Sequence, residues 1–114
     1  MVVNKLFVYG SLCPGCPNEH ILSDIGEGVW ENASVTGVLH QNGWAAKIGY
    51  PAIVLDKNGD KVYGYVFICD NLATNWHKLD KFEGEEYKRE LTTAELKNKV
   101  MVDTYIYTLK RGSD

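Results

Sequence analysis

The chain has 114 residues, enough for one domain of ordinary size and too few to fill two hydrophobic cores, so a single domain over residues 1–114 is expected. Hydrophobic residues make up 45% and charged residues 24%, which excludes a disordered tail, a collagen or a coiled coil. Twelve Lys and Arg against fifteen Asp and Glu leave a net charge of −3, a poor match for a phosphate backbone or an anionic membrane.

No apolar stretch approaches the roughly 20 residues that cross a bilayer, and Asn4 and Lys5 interrupt the only run resembling a leader. A cytoplasmic protein with neither nucleic acid nor membrane as partner is expected. Three cysteines are an odd number, and the pair Cys13-Pro14-Gly15-Cys16 has the spacing of half a zinc site without a second half. Its proline and glycine favour a turn over the helix start of a redox dithiol. Cys69 lies in an apolar run and reads as a small core residue.

In chain order, residues 5–9 (KLFVY) form an aromatic and branched run that stops at Gly10, the pattern of a buried strand. Residues 11–17 are turn-like, and His20 to Leu22 can begin a short helix. Residues 33–39 read as a strand with Gly37 as a bulge or close approach. Ala52–Leu55 and Val62–Cys69 read as the arms of a hairpin joined by residues 56–60, with Asn58-Gly59 supplying positive φ angles. The second arm is apolar on both faces, as in a central strand. Asp70 and Asn71 are good N-caps for a helix in which Leu72, Trp76, Leu79 and Phe82 or Glu83 recur at spacings of three and four, with Gly84 ending it. Residues 86–93 and 100–109 complete the strands. Many short strands and one clear helix late in the chain indicate an α+β fold: a small, partly closed β-barrel with helix on its outside.

Glu83 follows Leu79 by four positions and Trp76 by seven, so helix geometry aligns it with the core-directed residues. A carboxylate there loses hydration, and the negative end of the helix dipole acts in the same direction, raising its proton affinity toward that of a general acid-base group. The pattern equally allows Glu83 to turn out to water or to pair with Lys88 or Arg89. Tyr9-Gly10-Ser11-Leu12 ends the first strand in a turn whose backbone N–H groups can converge on a carboxylate; a plain strand-ending turn is the alternative. The glycines and Lys-Ser/Thr pair of a phosphate loop are missing. Ser11 lacks a nucleophile elbow, and His20, His40 and His77 lack metal-ligand spacing. The seven tyrosines suit core and rim better than base stacking.

Taken together, Phe7-Val8-Tyr9-Gly10-Ser11-Leu12, Pro17-Asn18-Glu19-His20, Gly49-Tyr50-Pro51-Ala52, Val62-Tyr63-Gly64-Tyr65-Val66, Leu79-Asp80-Lys81-Phe82-Glu83-Gly84 and Tyr87-Lys88-Arg89 carry a resemblance over nearly the whole chain. The sequence resembles the γ-glutamylcyclotransferase-like superfamily, most closely its short bacterial-type and γ-glutamylamine cyclotransferase members, and Tyr105-Ile106-Tyr107 looks like the family's last strand. The resemblance implies a small mixed β-barrel with flanking helices and neither metal nor organic cofactor. It further implies Tyr9, Gly10, Ser11 and Leu12 as the cradle for the α-carboxylate of a γ-glutamyl substrate, and Glu83 as the acid-base residue. The implied products are 5-oxoproline and an amine. A non-catalytic module holding a small carboxylate on the same barrel is the rival expectation, and a protein dependent on the thiols of Cys13 and Cys16 is another. Two departures from the family pattern stand out. Cys13-Pro14-Gly15-Cys16 replaces the basic residue and glycine that commonly follow the turn, and Glu85 and Glu86 add negative charge beside Glu83.

Overall fold

The computed structural model describes residues 3–9, 19–40, 52–83 and 87–109. Their elements are β1 (Lys5–Val8), α1 (Glu19–Ile25), β2 (Val29–His40), β3 (Ala52–Leu55), β4 (Asp60–Ile68), a 3-10 turn (Asp70–Thr74), α2 (Trp76–Glu83), β5 (Tyr87–Leu96) and β6 (Met101–Leu109). The strands lie in the order β3-β2-β4-β1-β6-β5, and a further pairing of β2 with β5 joins the ends. Five strands therefore form a closed barrel, with β3 as an extra strand on β2. Closure goes beyond the partly closed barrel expected. It rests on the pairs Ala33 with Leu96 and Ser34 with Glu95, too brief to be read from either strand alone. The barrel is mixed because β1 runs parallel to β6 and antiparallel to β4.

Alternation along β1 explains the two cores. Phe7 points into the barrel with Ala33, Val35, Ile53, Val66, Ala94 and Ile106. Leu6 and Val8 point outward beneath the helices, with Leu22 of α1, Leu72 of the 3-10 turn and Leu79 of α2. Strand β1 is thus apolar on both faces because it separates two layers. Fully burying one such Leu or Phe contributes about 2–3 kcal/mol, which fixes the helices to the barrel wall. Cys69 is buried in the outer layer, the place its apolar setting suggested.

Three expectations require correction. First, β3 and β4 are not a hairpin. Strand β4 pairs with β2 over nine residue pairs from Val29–Ile68 to Gly37–Asp60, whereas β3 pairs with the opposite edge of β2 from Gly37–Leu55 to His40–Ala52. The chain crosses over β2 at Gly37. The turn is present, with the Gly59 N–H donating to the Asp56 carbonyl at 2.8 Å and the Asn58 N–H to the Asp56 carboxylate at 2.9 Å, but neither Asn58 nor Gly59 has a positive φ. Glycine is required for space: a Cβ on Gly59 would lie 2.5 Å from the Gly37 carbonyl oxygen. The tight hairpin among the described residues is instead β5–β6, where Lys99 adopts φ 73°.

Second, the expected helix from Leu72 is divided, with a break at Asn75. The Asp70 and Asn71 side chains cap nothing: Asp70 accepts from Asn4 Nδ2 at 2.8 Å, and Asn71 Nδ2 donates to the Ile25 carbonyl at 3.0 Å. The Asn75 carbonyl instead receives the Lys78 and Leu79 N–H groups that open α2. Phe82 faces solvent at 39% exposure, so the buried stripe runs through Trp76 and Leu79. Third, β2 begins at Val29 rather than residue 33, because the exposed Glu31 and Asn32 interrupt its apolar pattern without interrupting its pairing with β4.

Candidate functional site

Register brings together the described strand ends that flank the two candidate segments. Strands β1 and β6 run parallel, with Leu6 opposite Tyr105 and Phe7 opposite Ile106, so their C-terminal ends emerge together. Antiparallel β5 begins there, since Tyr87 lies opposite Leu109. Gly10 follows Tyr9 directly, and Glu83 ends α2 four residues before Tyr87, a span of at most ~14 Å. Gly10, Ser11, Leu12, Cys13, Cys16, Gly84, Glu85 and Glu86 lie outside the described residues, as does the Glu83 side chain. By helix geometry the Glu83 position continues the stripe of Trp76 and Leu79.

Two short hydrogen bonds connect these segments through β6. The Tyr9 hydroxyl donates to the Tyr107 carbonyl at 2.7 Å, and the Tyr107 hydroxyl donates to Asp80 Oδ1 at 2.7 Å. Asp80 stands one helical turn before Glu83. The Tyr9 hydroxyl also accepts the Ile53 N–H at 3.1 Å. Tyr9 therefore stitches the end of β1 to β3 and β6 with its side chain. Its ring stacks on Phe7 at 6.1 Å and borders a cleft of about 500 Å³ between Val38, Leu39 and the crossing loop at Asn58 and Gly59.

The cations named as partners for Glu83 have other carboxylates nearby. Lys88 Nζ lies 3.7 Å from Glu90, and Arg89 Nη1 lies 3.6 Å from Asp80 Oδ1. The Arg89 guanidinium sits over the rings of Trp76 and Tyr105, 4.7 and 5.0 Å from their centroids. This cluster of Trp76, Asp80, Arg89, Tyr105 and Tyr107 was not foreseen as a unit. The signals available were the four-residue spacing of Trp76 and Asp80 and the alternation that puts Tyr105 and Tyr107 on one face of β6.

On the outer face, Lys61 of β4 reaches across β2 to Glu95 of β5 at 3.0 Å and straps the seam where the barrel closes. The Lys61 hydrogen bond and charge hold the Glu95 carboxyl below its ordinary pKa, and Glu95 raises that of Lys61. Among the described residues, no group of His, Cys, Asp and Glu side chains converges to hold a metal ion, and no helix is long and apolar enough to cross a membrane.

Comparison with known proteins agrees with this architecture. The family model described as gamma-glutamyl cyclotransferase, AIG2-like, matches residues 6–114. Among solved structures, YkqA of Bacillus subtilis superposes with a TM-score of 0.71 at 27% identity, covering 96% of this chain and 36% of that one. The chain thus spans about a third of the length of YkqA. An AIG2-like protein of Mus musculus, also called GGACT, superposes with a TM-score of 0.69 at 21% identity over 95% of this chain and 78% of that one. A solution structure from Arabidopsis thaliana gives 0.71 at 23% identity over 97% and 64%. No curated protein matches the chain. The family match over nearly the full sequence and the shared closed mixed barrel establish that the chain belongs to the gamma-glutamyl cyclotransferase, AIG2-like family.

Proposed function

We propose that this chain cyclises a small γ-glutamyl compound, with Glu83 as general acid-base and the backbone of Tyr9-Gly10-Ser11-Leu12 as the cradle for the substrate α-carboxylate. Family membership supports cyclotransferase-type chemistry in general. The observation that carries the residue assignment is the convergence of the β1 and β6 ends with the start of β5, tied to α2 by the hydrogen bonds of Tyr9, Tyr107 and Asp80.

In a γ-glutamyl amide the α-nitrogen is four bonds from the γ-carbonyl carbon, so attack closes a five-membered lactam. The α-ammonium group must first lose a proton, and Glu83 accepts it. The free amine attacks the carbonyl carbon, the new carbon–nitrogen bond forms, and the original amide bond breaks. Protonated Glu83 delivers its proton to the departing nitrogen. Two protons pass in all from the α-nitrogen to the leaving group, which departs as an amine and is ammonium at neutral pH. The other product is 5-oxoproline. One carboxyl group serves both steps because it is regenerated as base, provided its proton affinity lies near the working pH. The backbone cradle fixes one end of a chain that otherwise rarely folds into attack geometry, and orientation is the larger contribution to rate.

The test is a panel of γ-glutamyl amines, γ-glutamyl dipeptides and glutathione, with 5-oxoproline release as the readout. At least one substrate should turn over in the wild type, and Glu83→Gln should reduce kcat by about 10²–10⁴ while binding persists. Unchanged turnover in Glu83→Gln refutes the mechanism. A wild type that binds γ-glutamyl compounds and turns over none is instead a binding module.

A further inference from the structure

Arg89 is placed as no surface cation is. Its Nη1 is buried and has no hydrogen-bond partner among the described residues, and its guanidinium lies over the rings of Trp76 and Tyr105. A buried donor without an acceptor is rare and costly in a folded protein, and it persists where other contacts fix the group in place. Those contacts belong to two elements. Trp76 and Asp80 stand on successive turns of α2, and Tyr105 and Tyr107 are alternate residues of β6. Asp80 Oδ1 also accepts the Tyr107 hydroxyl, which holds the carboxylate 3.6 Å from Nη1. The guanidinium of a β5 residue therefore grips both turns of α2, the second of which ends at Glu83. Lysine cannot replace it, because an ammonium has no plane to lie against two rings while keeping its charge at the carboxylate.

We propose that Arg89 is a positioning residue, which sets the place of the last turn of α2 and thereby of Glu83. The proposal deepens the assignment of Glu83 as acid-base and rests on it for its catalytic consequence. The experiment combines steady-state kinetics on the best γ-glutamyl substrate with amide hydrogen exchange of residues 80–83, in wild type, Arg89→Lys and Arg89→Met. In Arg89→Met, exchange of those amides should quicken about tenfold or more while that of β1 and β6 stays unchanged. Its kcat should fall by about 10–100-fold with KM within about threefold, as expected when a reacting group is misplaced and ground-state binding is untouched. Arg89→Lys should lie between, restoring charge without the plane. Should Arg89→Met not fold, Asp80→Asn removes the ion pair while keeping an acceptor for Tyr107, and carries the same expectation at about threefold. Unchanged exchange at 80–83 overturns the proposal, and so does loosened exchange with unaltered kcat. If the wild type turns over no member of the panel, the cyclisation reading falls, and the exchange of residues 80–83 alone decides whether Arg89 positions that turn.

Discussion

The crossing of the β3–β4 connection over β2 makes a prediction whose sign is diagnostic. Gly59 has no positive φ, so in an ordinary hairpin turn Gly59→Ala would be neutral or would stabilise by about 0.4–1 kcal/mol through a less flexible unfolded chain. Here the added Cβ meets the Gly37 backbone at 2.5 Å to the carbonyl oxygen, 2.8 Å to the carbonyl carbon and 3.0 Å to Cα. Ordinary contacts of this kind lie at about 3.3–3.8 Å, so the two backbones must separate by roughly 0.8 Å. Gly37 cannot yield easily, because it pairs with Leu55 on one edge and Asp60 on the other. The overpacking should cost about 2–3 kcal/mol. In urea unfolding followed by circular dichroism, a slope near 1.5 kcal/mol per molar would place the midpoint about 1.3–2 M lower, with the slope itself unchanged. Gly37→Ala should fall in the same direction, since its Cβ would stand 2.7 Å from the Val54 carbonyl oxygen. A neutral or stabilised Gly59→Ala would mean that the two strands do not cross β2 there.

Two further consequences are open to direct measurement. Tyr9→Phe removes the acceptor of the Ile53 N–H and a donor to the Tyr107 carbonyl, and should destabilise by about 2–3 kcal/mol in the same assay. KM should be largely unaltered at temperatures where the variant is folded, whereas a large rise in KM with native stability would give the hydroxyl to the substrate. The Lys61–Glu95 strap sets a pH dependence. Because Glu95 is held below its ordinary pKa in the folded protein, its contribution is present above the unfolded value of about 4.3 and disappears as pH falls through the lowered one. A comparison of Tm against pH in wild type and Glu95→Gln should therefore show a wild-type advantage near neutrality that vanishes in acid and weakens in 0.5 M salt; parallel curves at all pH values would deny the strap any role.

What the sequence disclosed divides along the range of the interactions. Strand β1 was legible because its signal is local: a branched and aromatic run ended by a glycine. The turn at Asp56–Gly59 was legible for the same reason, as its hydrogen bonds lie within four residues. The partner of each strand was not. The reversal suggested by the Asn-Gly pair does not occur, because β3 and β4 both run antiparallel to β2 and so in the same direction, and only nine pairs with a strand more than twenty residues away decide that β4 joins β2. Asp70 and Asn71 misled in a related way. Their side chains suit a helix start, but Asn4 and the Ile25 carbonyl, distant in sequence, bind them instead. The helical period and the family pattern nominate Glu83, whereas Arg89, Asp80 and Tyr107 form a unit only once three elements have packed.

The proposed site depends on the parallel pairing of β1 with β6. An all-antiparallel arrangement of the two strands would send the turn after Tyr9 and the last residues of β6 to opposite ends of the barrel, and β5, antiparallel to β6, would start at the wrong end for α2. With β1 and β6 parallel, the end of β1, the end of β6 and the entry to β5 lie together. The helix that closes four residues before β5 must then end near them, because its chain cannot reach farther than ~14 Å. Tyr107 of β6 joins Tyr9 to Asp80, accepting from the Tyr9 hydroxyl at its carbonyl and donating its own hydroxyl to Asp80. One reversed strand direction would therefore remove the proposed site while leaving the composition, the periodicity and most of the buried core as they are.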